Sequence, residues 1–210
     1  MRKFVRLVIA SLVLTVSLAG TAASQNFDNG NPVPLSAGFP WNIGSDDVFP
    51  LHIADDFALP ASAPTISRIM WFGSHGEAAT DREFDIDIYG SGVIPWIMSP
   101  TPIWSVRGVA PTRSPVMSGG APMMIGRSRV YRYDFRPSTT IVLNPNVTHW
   151  ICIRAASSPG ITLSESWHWS HSLAGTGNTQ MEVPGFTSGF VPTLSILSAH
   201  NRDVAFKLFP

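Results

Sequence analysis

Glu83, Asp85 and Asp87 stand at alternate positions in the stretch Glu83-Phe84-Asp85-Ile86-Asp87-Ile88-Tyr89. In an extended chain, residues two apart share a face and lie about 6.6 to 7 Å from each other, so Asp85 and Asp87 can lean toward one cation. Calcium takes about six to eight oxygens, so a pair of carboxylates needs help from elsewhere. Asp55 is the third expected ligand, which makes Asp55, Asp85 and Asp87 the candidate calcium set. Asp46, Asp47, Asp56 and Asp203 could complete it if their strand ends meet. Asp55 and Asp56 are neighbours that point to opposite faces of an extended chain, so only one of the two is expected to join. The competing reading makes these acids the wet side of a sheet. No loop has the Asp, Asn and Gly spacing of a calcium-binding loop, which favours the second reading.

The tryptophans are the other group with chemistry to offer. They are Trp41, Trp71, Trp96, Trp104, Trp150, Trp167 and Trp169. An exposed indole is rigid, flat and apolar with one polar atom, which suits stacking on the apolar patches of sugar rings. Trp71 and Trp150, set among Ile, Met and Cys, are expected in the core. Trp96 and Trp104 lie in a proline-rich stretch and are the expected ligand-binding pair. Trp167 and Trp169 share one strand face and are further candidates.

No nucleophile accompanied by its base is visible. The chain has no Gly-x-Ser-x-Gly elbow, no His-Glu-x-x-His and no glycine loop for phosphate. His168 and His171 are three apart, which on a strand sends them to opposite sides and argues against a shared zinc ion. A glycan hydrolase needs only two carboxyls at the right separation, so Glu165 with an acid from Glu83 to Asp87 is the alternative enzymatic reading. No spacing selects that pair, and no catalytic residue is assigned. Cys152 is the only cysteine, which excludes an intramolecular disulfide. Within Trp150-Ile151-Cys152-Ile153 it is expected to act as a small buried hydrophobe.

These residues must be positioned by strands. Phe84, Ile86 and Ile88 alternate with the acids around them, and Tyr131, Tyr133 and Phe135 alternate with Arg132, Asp134 and Arg136. Val204, Phe206 and Leu208 repeat the pattern near the end of the chain. Ile66, Met70 and Phe72 interleave with Ile69 and Trp71, so that strand should be covered on both faces. Gly73-Ser74-His75-Gly76 reads as a turn, as does Asn144-Pro145-Asn146. From Gly90 to Arg129 the chain carries six prolines. That excursion should hold short edge strands, with Ile103 to Arg107 the clearest, or a functional loop. No capped helical period appears outside the N-terminus. The expected fold is all-β, a two-sheet antiparallel sandwich of jelly-roll type with about 8 to 10 short strands.

Arg2, Lys3 and Arg6 precede an apolar run to Leu18 and then small residues, the layout of an export signal. The expected organisation is a signal-peptide helix over 1–24, an irregular lead-in over 25–47 and one β-sandwich domain over 48–210. Cleavage would leave 11 basic against 14 acidic residues, a count of −3. A mildly acidic chain lacks the electrostatic footprint for nucleic acid or anionic membrane. The expected location is periplasmic or extracellular, without membrane insertion after signal removal.

The order of Ile53-Ala54-Asp55-Asp56-Phe57, the Ile69 to Phe72 strand, Phe84 to Tyr89, Tyr131 to Phe135, His149-Trp150, Trp167-His168-Trp169 and Asp203 to Leu208 resembles a loose family of exported bacterial β-sandwich modules. Those modules are frequent in proteins with a C-terminal sorting signal and are mostly of unknown function. The resemblance implies fold and compartment and supplies no catalytic residue. The function expected is that of an exported non-catalytic protein of surface or extracellular-matrix type, binding a polysaccharide or cell-surface component, or a purely structural envelope protein.

Overall fold

The computed structural model describes residues 25–33, 43–44, 52–75, 83–92, 98–125, 128–156, 167–172, 180–182, 190–192 and 203–210. The expected signal segment lies outside these residues, as do Trp41, Trp96, Glu165, Asp46 and Asp47. Among the described residues every regular element is a strand. In chain order the first are β1 (Phe27–Asp28), β2 (Ile43–Gly44), β3 (His52–Phe57), β4 (Thr65–Ile66), β5 (Arg68–His75), β6 (Phe84–Ser91) and β7 (Met98–Val109). Then come β8 (Thr112–Pro115), β9 (Met117–Ser118), β10 (Ala121–Pro122), β11 (Met124–Ile125), β12 (Ser128–Phe135) and β13 (Ile141–Val142). The last are β14 (His149–Ala155), β15 (Trp167–Trp169), β16 (Gln180–Glu182), β17 (Phe190–Pro192) and β18 (Phe206–Phe209).

The fold is all-β with antiparallel pairing. A six-stranded sheet runs β17-β16-β3-β14-β6-β7. An eight-stranded sheet has the path β1-β18-β5-β12-β11, with β8 on β12 and β15 joining β5 to β2. One apolar cluster draws buried side chains from both: Phe57, Phe84, Ile86 and Ile151 from the smaller sheet, Trp71, Tyr133, Trp167 and Phe206 from the larger. Its aromatic contacts cross between the sheets. Trp71 stacks on its neighbour Tyr133 at 5.5 Å and meets Phe84 edge-on at 5.3 Å. Edge-to-face and stacked pairs add about 0.5–1.5 kcal/mol each beyond the area they bury.

Strand β5 shows why a core strand can have no polar face. Ile69 and Trp71 enter the shared core, while Met70 and Phe72 join Ala205 and Phe209 in a separate cluster on the other side. The strand also runs further than its sequence suggests. Gly73-Ser74-His75, expected as a turn, is extended and pairs with both β12 and β15. Phe72 marks where β5 changes partner: its N–H donates to Ala205 O, and its carbonyl accepts from Ser170 N.

The proline-rich excursion holds edge strands as expected, but the one around Ile103 to Arg107 is longer than its sequence suggests. Its first part is one long edge strand, β7, paired with β6 through three register shifts. Its second part contains the β9–β10 hairpin, whose loop residues Gly119 and Gly120 have φ of 60° and 84°. Positive φ at both loop positions fits the right-handed twist of a two-residue hairpin, and glycine adopts it without strain. Asn146, in the expected Asn-Pro-Asn turn, is the one non-glycine residue with positive φ among the described residues, at 56°. The stretch expected as an irregular lead-in supplies β1, which pairs with β18, and β2, which pairs with β15.

Candidate functional site

Asp85 and Asp87 lie on the face of β6 turned away from the shared core, and that face is not wet. Asp87 is 1 % exposed. Strand β14 sets Arg154 directly opposite Asp85, and β7 sets Ser105 opposite Asp87. Arg154 donates to Asp85 at 3.0 Å and to Asp87 at 3.2 Å. Arg107 reaches Asp87 at 2.7 Å, Ser105 Oγ donates to Asp87 at 2.5 Å, and Gly108 N donates to Asp85 at 2.9 Å. A pair of carboxylates is thus matched by a pair of guanidinium groups, and a divalent ion there would have to displace both. Of the expected calcium set, Asp85 and Asp87 thus stand with their charge already balanced across three strands.

Asp55 sits elsewhere and in different company. Strand β3 turns Ile53, Asp55 and Phe57 toward the core, and Asp55 is fully buried. Its Oδ2 accepts from Asn29 Nδ2 at 2.7 Å and from Val204 N at 2.8 Å, and its Oδ1 accepts from Asp56 N at 2.9 Å. Asn29 Nδ2 also donates to Val204 O at 3.1 Å. Oxygens of Asp55, Asp56 and Asp203 all fall within 4.8 Å of one another. The expected separation of Asp55 from Asp56 therefore fails, because the Asp55 carboxylate folds back onto its neighbour's N–H. The grouping contains neither Asp85 nor Asp87. Burial raises the Asp55 pKa well above its ordinary value, and the negative charge of Asp203 adds to the effect against the opposing N–H bonds. The hydrogen bonds of this corner tie β3 to the segments after β1 and before β18. Three oxygens are about half of what calcium needs, and those of Asp55 are already engaged.

The tryptophans separate cleanly. Trp71, Trp150, Trp167 and Trp169 are all buried. Trp167 meets Phe84 edge-on at 5.2 Å, and Trp169 lies 6.0 Å from Trp167 and 6.1 Å from Phe206. Both were expected as ligand-stacking candidates, and here both rings are fully buried. Trp104 is half-buried, packs on the core and lines a cleft of about 500 Å³ with Val106, Val109, Phe135, Arg136 and Pro137. That cleft opens between β7, at the edge of the smaller sheet, and the segment leaving β12.

A second depression crosses the outer face of the larger sheet, about 590 Å³ in volume. Met70, Phe72 and Phe209 lie beneath it, and Arg132 and Lys207 flank it. The alternation of β12 places Arg132 on a charged outer face, which the sequence shows. What the sequence hides is the pairing of Arg132 with Phe72 and of Lys207 with Met70, which puts the two cations on either side of one apolar strand face. No protein-family model matches the chain, and no curated protein or solved structure is similar to it.

Proposed function

We propose that the chain is an exported, non-catalytic β-sandwich of the surface or matrix type that binds a glycan in the cleft beside Trp104. The observation that carries this reading is the contrast among indoles. Of the tryptophans whose side chains are described, Trp104 alone is not buried, and it stands in a cleft with an apolar wall and a polar rim. Val106, Val109 and Phe135 give the apolar wall, while Arg136, Ser138 and Thr139 supply hydrogen-bonding groups. That combination suits a sugar ring, which has an apolar face and a belt of hydroxyls. The apolar cluster shared by the two large sheets supports a sandwich, and the basic, apolar and small-residue zones of the N-terminus support export.

The test is affinity electrophoresis of the exported protein through gels carrying neutral polysaccharides. Retardation on at least one polymer is expected, lost in Trp104→Ala and retained in Trp104→Phe, with melting curves showing that both variants fold. Unretarded migration on every polymer, or retardation indifferent to a folded Trp104→Ala, overturns the reading.

A further inference from the structure

We propose that the groove on the outer face of the eight-stranded sheet is a second binding site, independent of Trp104, that takes a carboxylate-bearing glycan. Strand register builds it. Strand β5 contributes Met70 and Phe72 to the floor, β12 places Arg132 beside Phe72, and β18 places Lys207 beside Met70. Phe209 extends the apolar floor. Among the described residues, no acidic side chain lines the groove.

The charges around it are unequal in a way that points to a ligand. Arg68, nearby on β5, is tied to Asp134 through Nε at 2.9 and 3.0 Å and lies over the Phe209 ring at 4.7 Å. Lys207 is met by Asp28 at 3.1 Å, whose side chain is 44 % exposed and faces solvent. Arg132 is exposed and has no hydrogen-bond or ion-pair partner among the described residues. A guanidinium presents a planar fork of donors that fits a carboxylate with two parallel hydrogen bonds. An acidic sugar places such a carboxylate at the edge of a ring, and the ring can lie over the groove, beneath which Met70, Phe72 and Phe209 are nearly buried and show only their edges. Ser114 and Asn31 at the margins can meet its hydroxyls. The chain counts to −3 without its N-terminal segment, so an uncompensated cation on this face is a local feature and not the by-product of a basic protein.

Affinity electrophoresis decides it, with polygalacturonate as the carboxylated probe, dextran as the neutral one and dextran sulfate as the sulfated one. The wild type is expected to be retarded by polygalacturonate at low salt. Arg132→Gln should weaken that retardation about tenfold, the effect of one charge-assisted hydrogen-bonding group, and Arg132→Lys should recover it only in part. Trp104→Ala should leave it unchanged. Because Arg132 is exposed, its variants should melt like the wild type, which keeps loss of binding separate from loss of fold. The proposal is overturned if polygalacturonate does not retard the wild type, or if Arg132→Gln behaves like it. Abolition by Trp104→Ala, or dextran sulfate binding as well as polygalacturonate, overturns it too, by moving the site to the cleft or reducing recognition to charge. Retention on dextran through Trp104 is insensitive to Arg132→Gln, so either site can fail without the other.

Discussion

Asp55 accepts the backbone N–H of Val204 at 2.8 Å across 149 positions of sequence, and through that bond the central part of the smaller sheet holds the entry to β18 in the larger one. Asn29 makes the third corner, donating to both Asp55 and the Val204 carbonyl. Three segments far apart in sequence thus meet at one carboxyl group that has no access to water.

Removing that carboxyl should be expensive. Asp55→Ala strands the Val204 N–H and the Asn29 amide inside the protein, and an unsatisfied buried polar group costs about 1–3 kcal/mol. A loss of about 3 kcal/mol in urea unfolding is expected. Asp55→Asn keeps an acceptor and removes the titration. Since the folded pKa of Asp55 lies well above the ordinary 3.8, the folded state holds a proton that the unfolded state releases as pH rises past that value. The Asp55 contribution is therefore fully present at acidic pH and is lost as pH rises toward the raised folded value. Asp55→Asn should gain stability relative to the wild type on going from about pH 4 to neutrality. A difference that stays flat, or that falls with pH, contradicts this.

His149 should act in the opposite direction. It is buried and stacked on Phe57 at 5.7 Å, and burial lowers its pKa below the ordinary 6.5, with the Val147 backbone partly offsetting the effect. A depressed histidine contributes stability above its unfolded pKa, which is lost as pH falls through the folded one. His149→Phe keeps a ring against Phe57 and cannot take up a proton. Melting temperatures measured at neutral pH and again below 6.5 should show the variant gaining on the wild type in acid. Equal acid sensitivity of the two proteins would show that His149 does not carry this term.

Arg154 gives a prediction about charge balance. It joins Asp85 and Asp87 on the sheet's outer face, and Asp87 is almost completely buried. Arg154→Met leaves those carboxylates with Arg107 as the one cation among their described partners, beside the neutral donors Ser105 and Gly108, and breaking a buried pair from one side costs about 3–5 kcal/mol. A loss near the lower end is expected because Arg154 keeps 15 % of its side-chain surface exposed. Adding Asp87→Asn removes the stranded charge, so the double variant should be more stable than the sum of the single losses implies. Strict additivity would mean that the network is not coupled.

Much of the scaffold is legible in local sequence because a period of two is a local property. Phe84, Ile86 and Ile88 on β6, and Tyr131 and Tyr133 on β12, enter the shared core as their alternation predicts. Cys152 and Trp150 are buried as their apolar neighbours imply. Only the Ile103 to Arg107 part of β7 is legible; the part before it escapes because Pro100 and Pro102 break its pattern. They are tolerated there since β7 is the edge of its sheet, where a missing N–H interrupts pairing on one side only. The acidic group escapes for a different reason. Which carboxylates converge depends on contacts between segments far apart in sequence, and no spacing within Glu83 to Tyr89 reports that Arg154, 69 positions away, arrives opposite Asp85. That Trp104 is not buried was legible from its setting, and Arg132 as an outward-facing charge; the apolar strand face between Arg132 and Lys207 required the register.

Gly73 shows how a long-range contact can overrule a local signal, and it yields the sharpest stability test. A glycine beside serine and histidine reads as a turn, yet here it is mid-strand because the indole of Trp167 occupies the space a side chain would need. A Cβ built on Gly73 would lie 2.5 Å from Trp167 Cζ2 and 2.6 Å from Cε2 and Nε1. Trp167 is fully buried and is held by Phe84, Tyr133 and Trp169, so it has nowhere to retreat. Overpacking a well-filled core costs about 1–3 kcal/mol, and Gly73→Ala should fall at the upper end because the obstacle is a rigid ring. Trp167→Phe alone should also destabilise, by opening a void. Together the two changes relieve each other: the smaller ring makes room for the methyl group, and the methyl group fills part of the void. Urea unfolding of the wild type, both single variants and the double variant should give a double-variant loss smaller than the sum of the single losses. A sum that is simply additive would show that Gly73 is held by backbone requirements rather than by the tryptophan it faces.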